Sequence, residues 1–407
     1  MMHPPVFSAA DHAHMAEAMA LAARGRYSTH PNPRVGCVVV ARGRVIGRGF
    51  HVRAGEPHAE VHALREAGPL PPGCTVYVTL EPCAHHGRTP PCADALADAG
   101  PARVVVAGLD PNPLVAGQGV TRLRAAGITV DVGLLRAEAE ALNPGFLRRI
   151  AGGLPWLRLK LAASLDGRTG MASGESKWIT GPAARRDVQR WRAASSVVLT
   201  GIGTVLADDP ALNVRPEDWC DPAALTPVQV GAPAAATASV RQPRRVVLDS
   251  QLRLPLTAAL LRTPGEVSVV SIGPAQTLAD AEALAWLHAH DAIRAARAEA
   301  LMAAGVSLQL VPATAGQPDL KAALQALAAQ GCNEVLVEAG ATLAGACLRA
   351  GLVDEVLLYQ APTLLGSSGR PLADWPMTRM AEQQRLQLAD LRQLGDDVRL
   401  TLRPVKA

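Results

Sequence analysis

Runs of β-branched apolar residues alternate with helix-spaced segments through the first half of the chain. Ser8 to Arg26 reads as a helix, with Ser8 and Asp11 spaced as a capping box and Gly25 near its end. Val35–Ala41 and Arg44–Phe50 read as a hairpin around Arg42-Gly43. A short helix from His58, a strand at Thr75–Leu80, a helix near Ala93–Ala99 and a strand at Arg103–Ala107 follow, then a helix at Val120–Ala126 and a strand at Ile128–Val132. Strands separated by helices predict a largely parallel, three-layer α/β sandwich.

The pattern restarts after Gly152-Gly153-Leu154-Pro155, which divides the chain into domains 1–152 and 153–407. Trp156–Ala163 reads as a strand, Pro182–Ala194 as a helix opened by proline, and Ser195–Thr200 as a strand. Arg245–Asp249, Glu266–Ser271, Val306–Val311 and Glu334–Glu338 are further strands; Asp319–Ala329 and Thr342–Ala350 are helical. Pro222–Val240 is rich in Ala, Pro and Thr, carries no charge and has no periodicity, so it reads as a surface insertion.

Charge changes this picture little. There are 15 basic against 12 acidic residues up to Gly152 and 25 against 24 after it. Neither half carries the basic field of a nucleic-acid binder, and 3% aromatic content offers few stacking surfaces. A small anionic ligand suits the balance better. No apolar stretch approaches the ~20 residues of a membrane helix, and the N-terminal segment interrupts any signal-like run with His, Asp and Glu, so a cytoplasmic enzyme is expected. Seven scattered cysteines do not form a disulfide framework and read instead as metal ligands, nucleophiles or, for Cys37 within its strand, core.

Three segments carry chemistry: His58-Ala59-Glu60, Pro82-Cys83 and Pro91-Cys92. One imidazole and two thiolates can hold zinc and leave a fourth position for water, whose pKa the metal lowers to about 7. Glu60, beside the histidine but off the metal, is placed to move the water's proton. This is the signature of zinc deaminases, except that eight residues separate the cysteines instead of two. A structural zinc closed by His62 or Cys74 is the bland alternative.

The segments His30–Gly36, Gly55–Glu60 and Glu81–Cys92, the last with its extended Gly87-Arg88-Thr89-Pro90-Pro91 loop, resemble the bifunctional deaminase/reductase family of riboflavin biosynthesis, the RibD type. The resemblance implies a cytidine-deaminase-like first domain with Zn2+ on His58, Cys83 and Cys92, and Glu60 as proton shuttle. It implies that Asn32 and the loop containing His85 seat a pyrimidine ribosyl phosphate. Ala84 stands where many members carry Ser.

The second half shows no G-x-G-x-x-G; Gly201-Ile202-Gly203 is only a fragment of it. The strand-to-helix turn around Glu338–Leu343 could hold a phosphate on its backbone N–H groups. Arg192 and Arg215 are candidate phosphate clamps. Lys160 lies at a strand end near Ser164, Asp166 and Arg168. Here too Lys160–Arg168, Ser173–Thr180, Thr204–Arg215, Asp249-Ser250 and Glu338–Leu343 resemble the same family's reductase half. That half implies a dihydrofolate-reductase-like fold using NADPH. Its implied cofactor contacts are Ala162, Trp178, Thr204, Asp208, Ser250, Gly340, Ala341, Thr342, Leu343, Ala344, Gly345 and Ala346. Its implied substrate contacts are Ser176, Arg192, Leu212, Arg215 and Glu338, with Lys160 near the reacting carbon. The resemblance runs from about Asp11 to Arg403, and a homo-oligomer, a dimer by preference, is expected. A transfer-RNA base deaminase with an appended domain and a non-catalytic zinc-stabilised binding protein are the competing readings.

Overall fold

The computed structural model describes residues 5–84, 90–112, 116–215, 218 and 241–405. The chain divides into two compact units, the first ending at Gly153 and the second beginning at Leu154. The 222–240 segment and the loop of His85 lie outside the described residues.

The first unit runs α1 (Ala9–Arg24), β1 (Gly36–Ala41), β2 (Arg44–Phe50), α2 (Ala59–Ala67), β3 (Thr75–Val78), α3 (Cys92–Ala99), β4 (Arg103–Val106), α4 (Gln118–Ala125), β5 (Thr129–Val132), α5 (Arg136–Leu142) and α6 (Pro144–Gly152). Sheet order is β2-β1-β3-β4-β5. The expectation of a largely parallel sheet is corrected: β1 pairs antiparallel with both β2 and β3, and only β3–β4 and β4–β5 are parallel. The hairpin reverses the chain, and the α2 crossover returns it to the far side of β1, so β3 must run against β1.

Both faces of this sheet are buried, which explains the unbroken apolar strands. Cys37, Val39, Val76, Val78, Val104 and Val106 pack against α2, α3 and α4. The alternate positions Val38, Val40, Tyr77 and Val105 pack with Met15, Ala18 and Leu21 of α1 and Ala139 of α5. The capping box forms as read: Ser8 and Asp11 bond reciprocally. Asp11 also accepts from Tyr77 Oη at 2.8 Å and Arg103 Nη1 at 2.6 Å, which ties α1 to β3 and β4. Burial alone would raise this carboxyl's pKa; the bonds from Ser8, Arg103 and Tyr77 outweigh it and hold the group well below the usual range.

The second unit contains β6 (Trp156–Ala163), α7 (Pro182–Ala194), β7 (Val197–Gly201), α8 (Ile202–Asp208), β8 (Arg244–Leu248), β9 (Val267–Ile272), β10 (Leu278–Ala279), α9 (Asp280–His290), α10 (Ala292–Ala303), β11 (Ser307–Val311), β12 (Ala313–Thr314), β13 (Gln317–Pro318), α11 (Leu320–Ala329), β14 (Glu334–Glu338), α12 (Ala341–Arg349), β15 (Glu355–Gln360), β16 (Leu386–Leu394) and β17 (Asp397–Pro404). Ten strands form one sheet in the order β10-β11-β9-β8-β7-β14-β6-β15-β17-β16. The strands from β11 to β15 in that order are parallel, and the flanking β10, β17 and β16 are antiparallel to their neighbours. The carboxyl ends of β8, β7, β14 and β6 therefore lie side by side, the edge at which open α/β sheets bind ligands.

Candidate active sites

His58 is the N-cap of α2 but makes no capping bond, so its imidazole is free for another partner. Gly49 lets α2 approach β2 closely: a Cβ there would lie 2.1 Å from the Ala59 carbonyl oxygen. Cys92 opens α3 after Pro91, and Cys83 follows β3 through the bend at Thr79-Leu80 and then Glu81-Pro82. The three meet: His58 Nδ1 is 3.2 Å from Cys92 Sγ and 3.6 Å from Cys83 Sγ, and all three donor atoms lie within 4.8 Å of one another. Zinc–nitrogen and zinc–sulfur bonds of about 2.0–2.3 Å put tetrahedral ligand atoms roughly 3.6 Å apart, so these residues fit zinc.

The thiols differ sharply in acidity. Hydrogen bonding between the two side chains holds the Cys83 thiol well below its ordinary value and pushes the Cys92 thiol up, and the bond to Cys83 raises His58. A metal ligand must be a thiolate, so binding would release the remaining proton. Both helix N-termini point their positive ends at this anionic set. Among the described residues no fourth donor joins it: the Cys74 thiol donates to the Pro71 carbonyl at 2.8 Å, and His62 lies outside the cluster. Among the described residues the set is open, the arrangement of a catalytic zinc site.

Glu60 is 3% exposed, and its Oε2 has no hydrogen-bond partner among the described residues. Burial raises its pKa to about 7, against the opposing pull of its own backbone N–H and the nearby His58. A buried carboxyl with a free oxygen and a pKa near neutrality suits general acid/base work.

Asn32 is brought to this site through a residue the sequence did not single out. Its Nδ2 is 3.1 Å from His51 Nε2, and the His51 ring stands edge-on to His58 with centroids 5.1 Å apart. His51 Nδ1 lies 3.3 Å from the Pro57 carbonyl, which can only accept, so Nδ1 carries the proton and Nε2 accepts from Asn32. Burial lowers the His51 pKa to about 4, keeping the ring neutral. This turns the Asn32 carbonyl oxygen away from His51. A lone histidine in a loop carries no spacing signal that could have revealed it.

In the second unit, β14 pairs with β6 so that Glu338 stands opposite Lys160. Arg192 from α7 bonds both Glu338 oxygens, at 2.6 and 2.9 Å, and donates to the Asn213 carbonyl at 2.9 Å. Three of the five N–H donors of Arg192 are thus committed within the protein, which leaves one each on Nη1 and Nη2 for a ligand. Burial opposes ionisation of Glu338, but Arg192 and then Lys160 outweigh it and keep its pKa low. Burial lowers the pKa of Lys160, with Glu338 pulling the other way; its ammonium lies 5.9 Å from the Tyr359 ring centroid. Arg215 lies near Glu338 and bonds Gln189 through its backbone N–H at 3.1 Å. Leu212 is 3% exposed, its side chain in the core with Val198, Leu336 and Tyr359, so only its backbone could face a ligand.

The implied cofactor contacts gather on the carboxyl edge of the sheet. Ala162 is near the end of β6, Thr204 and Asp208 lie in α8 after β7, and Ser250 follows β8. The Asp208 carbonyl accepts from Lys177 at 3.3 Å, which holds the neighbouring Trp178 near α8; that indole is 70% exposed, with the Arg185 guanidinium 4.5 Å over it. Ser176 packs beside Gly170. Helix α12 begins at Ala341, capped by Gly340, so the free N–H groups are those of Ala341, Thr342 and Leu343. Ala344 N–H already bonds the Gly340 carbonyl, its side chain is in the core, and Gly345 abuts the Asp374 backbone. Ala346 lies a full turn inside the helix.

The family description of the cytidine and deoxycytidylate deaminase zinc-binding region matches residues 8–108, and that of the RibD C-terminal domain matches residues 155–400. The riboflavin biosynthesis protein RibD of Escherichia coli is 50% identical over 394 residues, covering 96% of this chain and 99% of its own. That of Haemophilus influenzae is 45% identical over 399 residues, covering 98% of each. The solved structure of Acinetobacter baumannii RibD, form 1, shares 48% identity with a TM-score of 0.82, covering 98% of this chain and 99% of its own. The triangle of His58, Cys83 and Cys92, the buried glutamate and the ten-stranded second unit thus occur in one chain that aligns with these proteins over nearly its whole length. The chain belongs to the RibD family and is a bifunctional deaminase/reductase of riboflavin biosynthesis.

Proposed function

We propose that His58, Cys83 and Cys92 hold Zn2+ and that Glu60 serves as its proton shuttle in deaminating 2,5-diamino-6-ribosylamino-4(3H)-pyrimidinone 5′-phosphate. Zinc, when bound, acts as a Lewis acid and lowers the pKa of water to about 7. Glu60 takes the water's proton and delivers it to the 2-amino group; a C–O bond forms, the C–N bond breaks and ammonia leaves. Asn32 presents its carbonyl oxygen to the pyrimidine, with His51 holding its amide.

In the second unit, the free N–H groups of Ala341–Leu343 at the carboxyl edge of the sheet would hold phosphates of NADPH. When bound, NADPH would supply the hydride for C1′ of the opened ribosyl group, and solvent the proton that completes the reduction to ribityl. Lys160 faces that carbon, Glu338 fixes Lys160 and Arg192, and Arg215 serves the substrate's phosphate. Residues 1–152 and 153–407 form the two catalytic domains, working in the cytoplasm; no helix among the described residues is long and apolar enough to cross a membrane. A second copy of the chain covers the edge strand β16, whose Leu386, Leu388 and Leu391 are 39%, 53% and 57% exposed.

The observation that supports this reading most is the free, buried Glu60 oxygen beside three converging donors. Glu60→Gln should lower ammonia release at least about 100-fold. NADPH oxidation with the already deaminated substrate should persist; parallel loss of both activities would contradict separate sites.

A further inference from the structure

Two cysteines separated by two residues are held by a single turn; here eight residues intervene. A span of that length does not by itself fix the separation of its ends, so ties made by residues outside it bear on the sulfur spacing. Local ties exist: Ala93 N–H bonds the Cys83 carbonyl at 3.1 Å, and Cys92 N–H reaches Cys83 Sγ at 3.3 Å. The other ties come from α4.

Arg122 on α4 donates from Nη1 to the carbonyl of Ala84, the residue after Cys83, at 3.3 Å. The same guanidinium pairs with Asp94, two residues beyond Cys92 on α3. Helix α4 is itself fixed to the strand end that leads to Cys83. The Glu81 carboxylate accepts from the backbone N–H groups of Asp110 at 3.1 Å, Gly117 at 2.9 Å and Val120 at 3.2 Å. Gly119 closes the contact, since a Cβ there would lie 2.0 Å from the Pro82 carbonyl oxygen.

We propose that Arg122 is a positioning residue for the metal: it staples the Cys83–Ala84 turn to α3 and sets the separation of the two sulfurs. The proposal rests on the reading of His58, Cys83 and Cys92 as zinc ligands. Arg122 and Asp94 side chains are 46% and 29% exposed, so the effect belongs at the low end of what outer residues contribute to metal binding. It also makes the staple sensitive to salt.

The test measures zinc release from the zinc-loaded full chain to a chromogenic chelator. Arg122→Met, which keeps the aliphatic stem, and Asp94→Asn should each speed release on the order of 10-fold, and the double variant should release no faster than either. Raising salt should speed release from the unaltered chain and not from Arg122→Met. Arg124→Met is the control: Arg124 lies on the same helix but donates to the Val130 carbonyl, away from the cysteines, so release should be unchanged. Should Arg122→Met fail to fold, Asp94→Asn carries the test. Release at the unaltered rate from Asp94→Asn, or equal acceleration in Arg124→Met, would overturn the proposal. Failure of the unaltered chain to bind zinc would be a different result and would strike the metal reading itself.

Discussion

The triangle of His58, Cys83 and Cys92 draws its donors from the starts of α2 and α3 and one strand-end segment, while the cluster of the second unit draws Lys160, Glu338 and Arg192 from two paired strands and a covering helix. The first gathers donor atoms that face mainly one another, an uncapping imidazole and two sulfurs, beside a carboxylate oxygen without a partner among the described residues. In the second, the charged groups largely satisfy one another, through the bidentate Arg192–Glu338 pair and the neighbouring Lys160. A metal site must leave its donors free for the ion, whereas a site that orients an organic substrate can be preorganised by internal ion pairs. Damage to the first should appear as lost chemistry with the fold intact. Damage to the second should appear as lost stability and lost reduction together.

The sharpest way to break that contrast is Glu338→Gln. It leaves the Arg192 guanidinium buried with a weaker partner, the side chains being 13% and 10% exposed. Thermal unfolding of the second unit should lose about 3 kcal/mol, with reduction lost and ammonia release unchanged. A stable variant with normal reduction would contradict the preorganised pair. Gly119→Ala should come next, at roughly 2 kcal/mol in the first unit, because the added Cβ would overlap the Pro82 carbonyl. A difference scan showing no loss would mean the helix shifts freely.

Asp11→Asn should have the smallest effect and a distinctive pH dependence. Asp11 ionises well below its unfolded range, so its stabilisation is complete above about pH 4 and fades as pH falls below it. The variant should be about 1.5 kcal/mol less stable at neutral pH and converge on the unaltered chain in acid. Urea titrations across that range would show it; a constant difference would assign the loss to packing.

The sequence exposed the convergence of His58, Cys83 and Cys92 well, because His58-Ala59-Glu60 with two Pro-Cys pairs admits few other uses. It hid His51, whose role depends on a carbonyl and an amide brought up by folding. In the second unit Gly201-Ile202-Gly203 looked like a broken phosphate motif but is the end of β7 and the first turn of α8, where α8 carries Thr204. Helices α9 and α10 escaped because alanine blurs their apolar faces, and α5 because Leu135 precedes it in a left-handed conformation without a capping side chain. Strand β16 escaped for a different reason: most of its residues are exposed, so no buried face imposes a period of two. The parallel arrangement was misjudged where the hairpin at Arg42-Gly43 reverses the chain.

The most direct test of two independent sites is removal of zinc from the full chain by a strong chelator, followed by separate assays of ammonia release and of NADPH oxidation with the deaminated substrate. Ammonia release should vanish and return on adding zinc, while NADPH oxidation holds steady throughout. Ammonia release that survives complete metal removal, or NADPH oxidation that falls with it, would contradict the account.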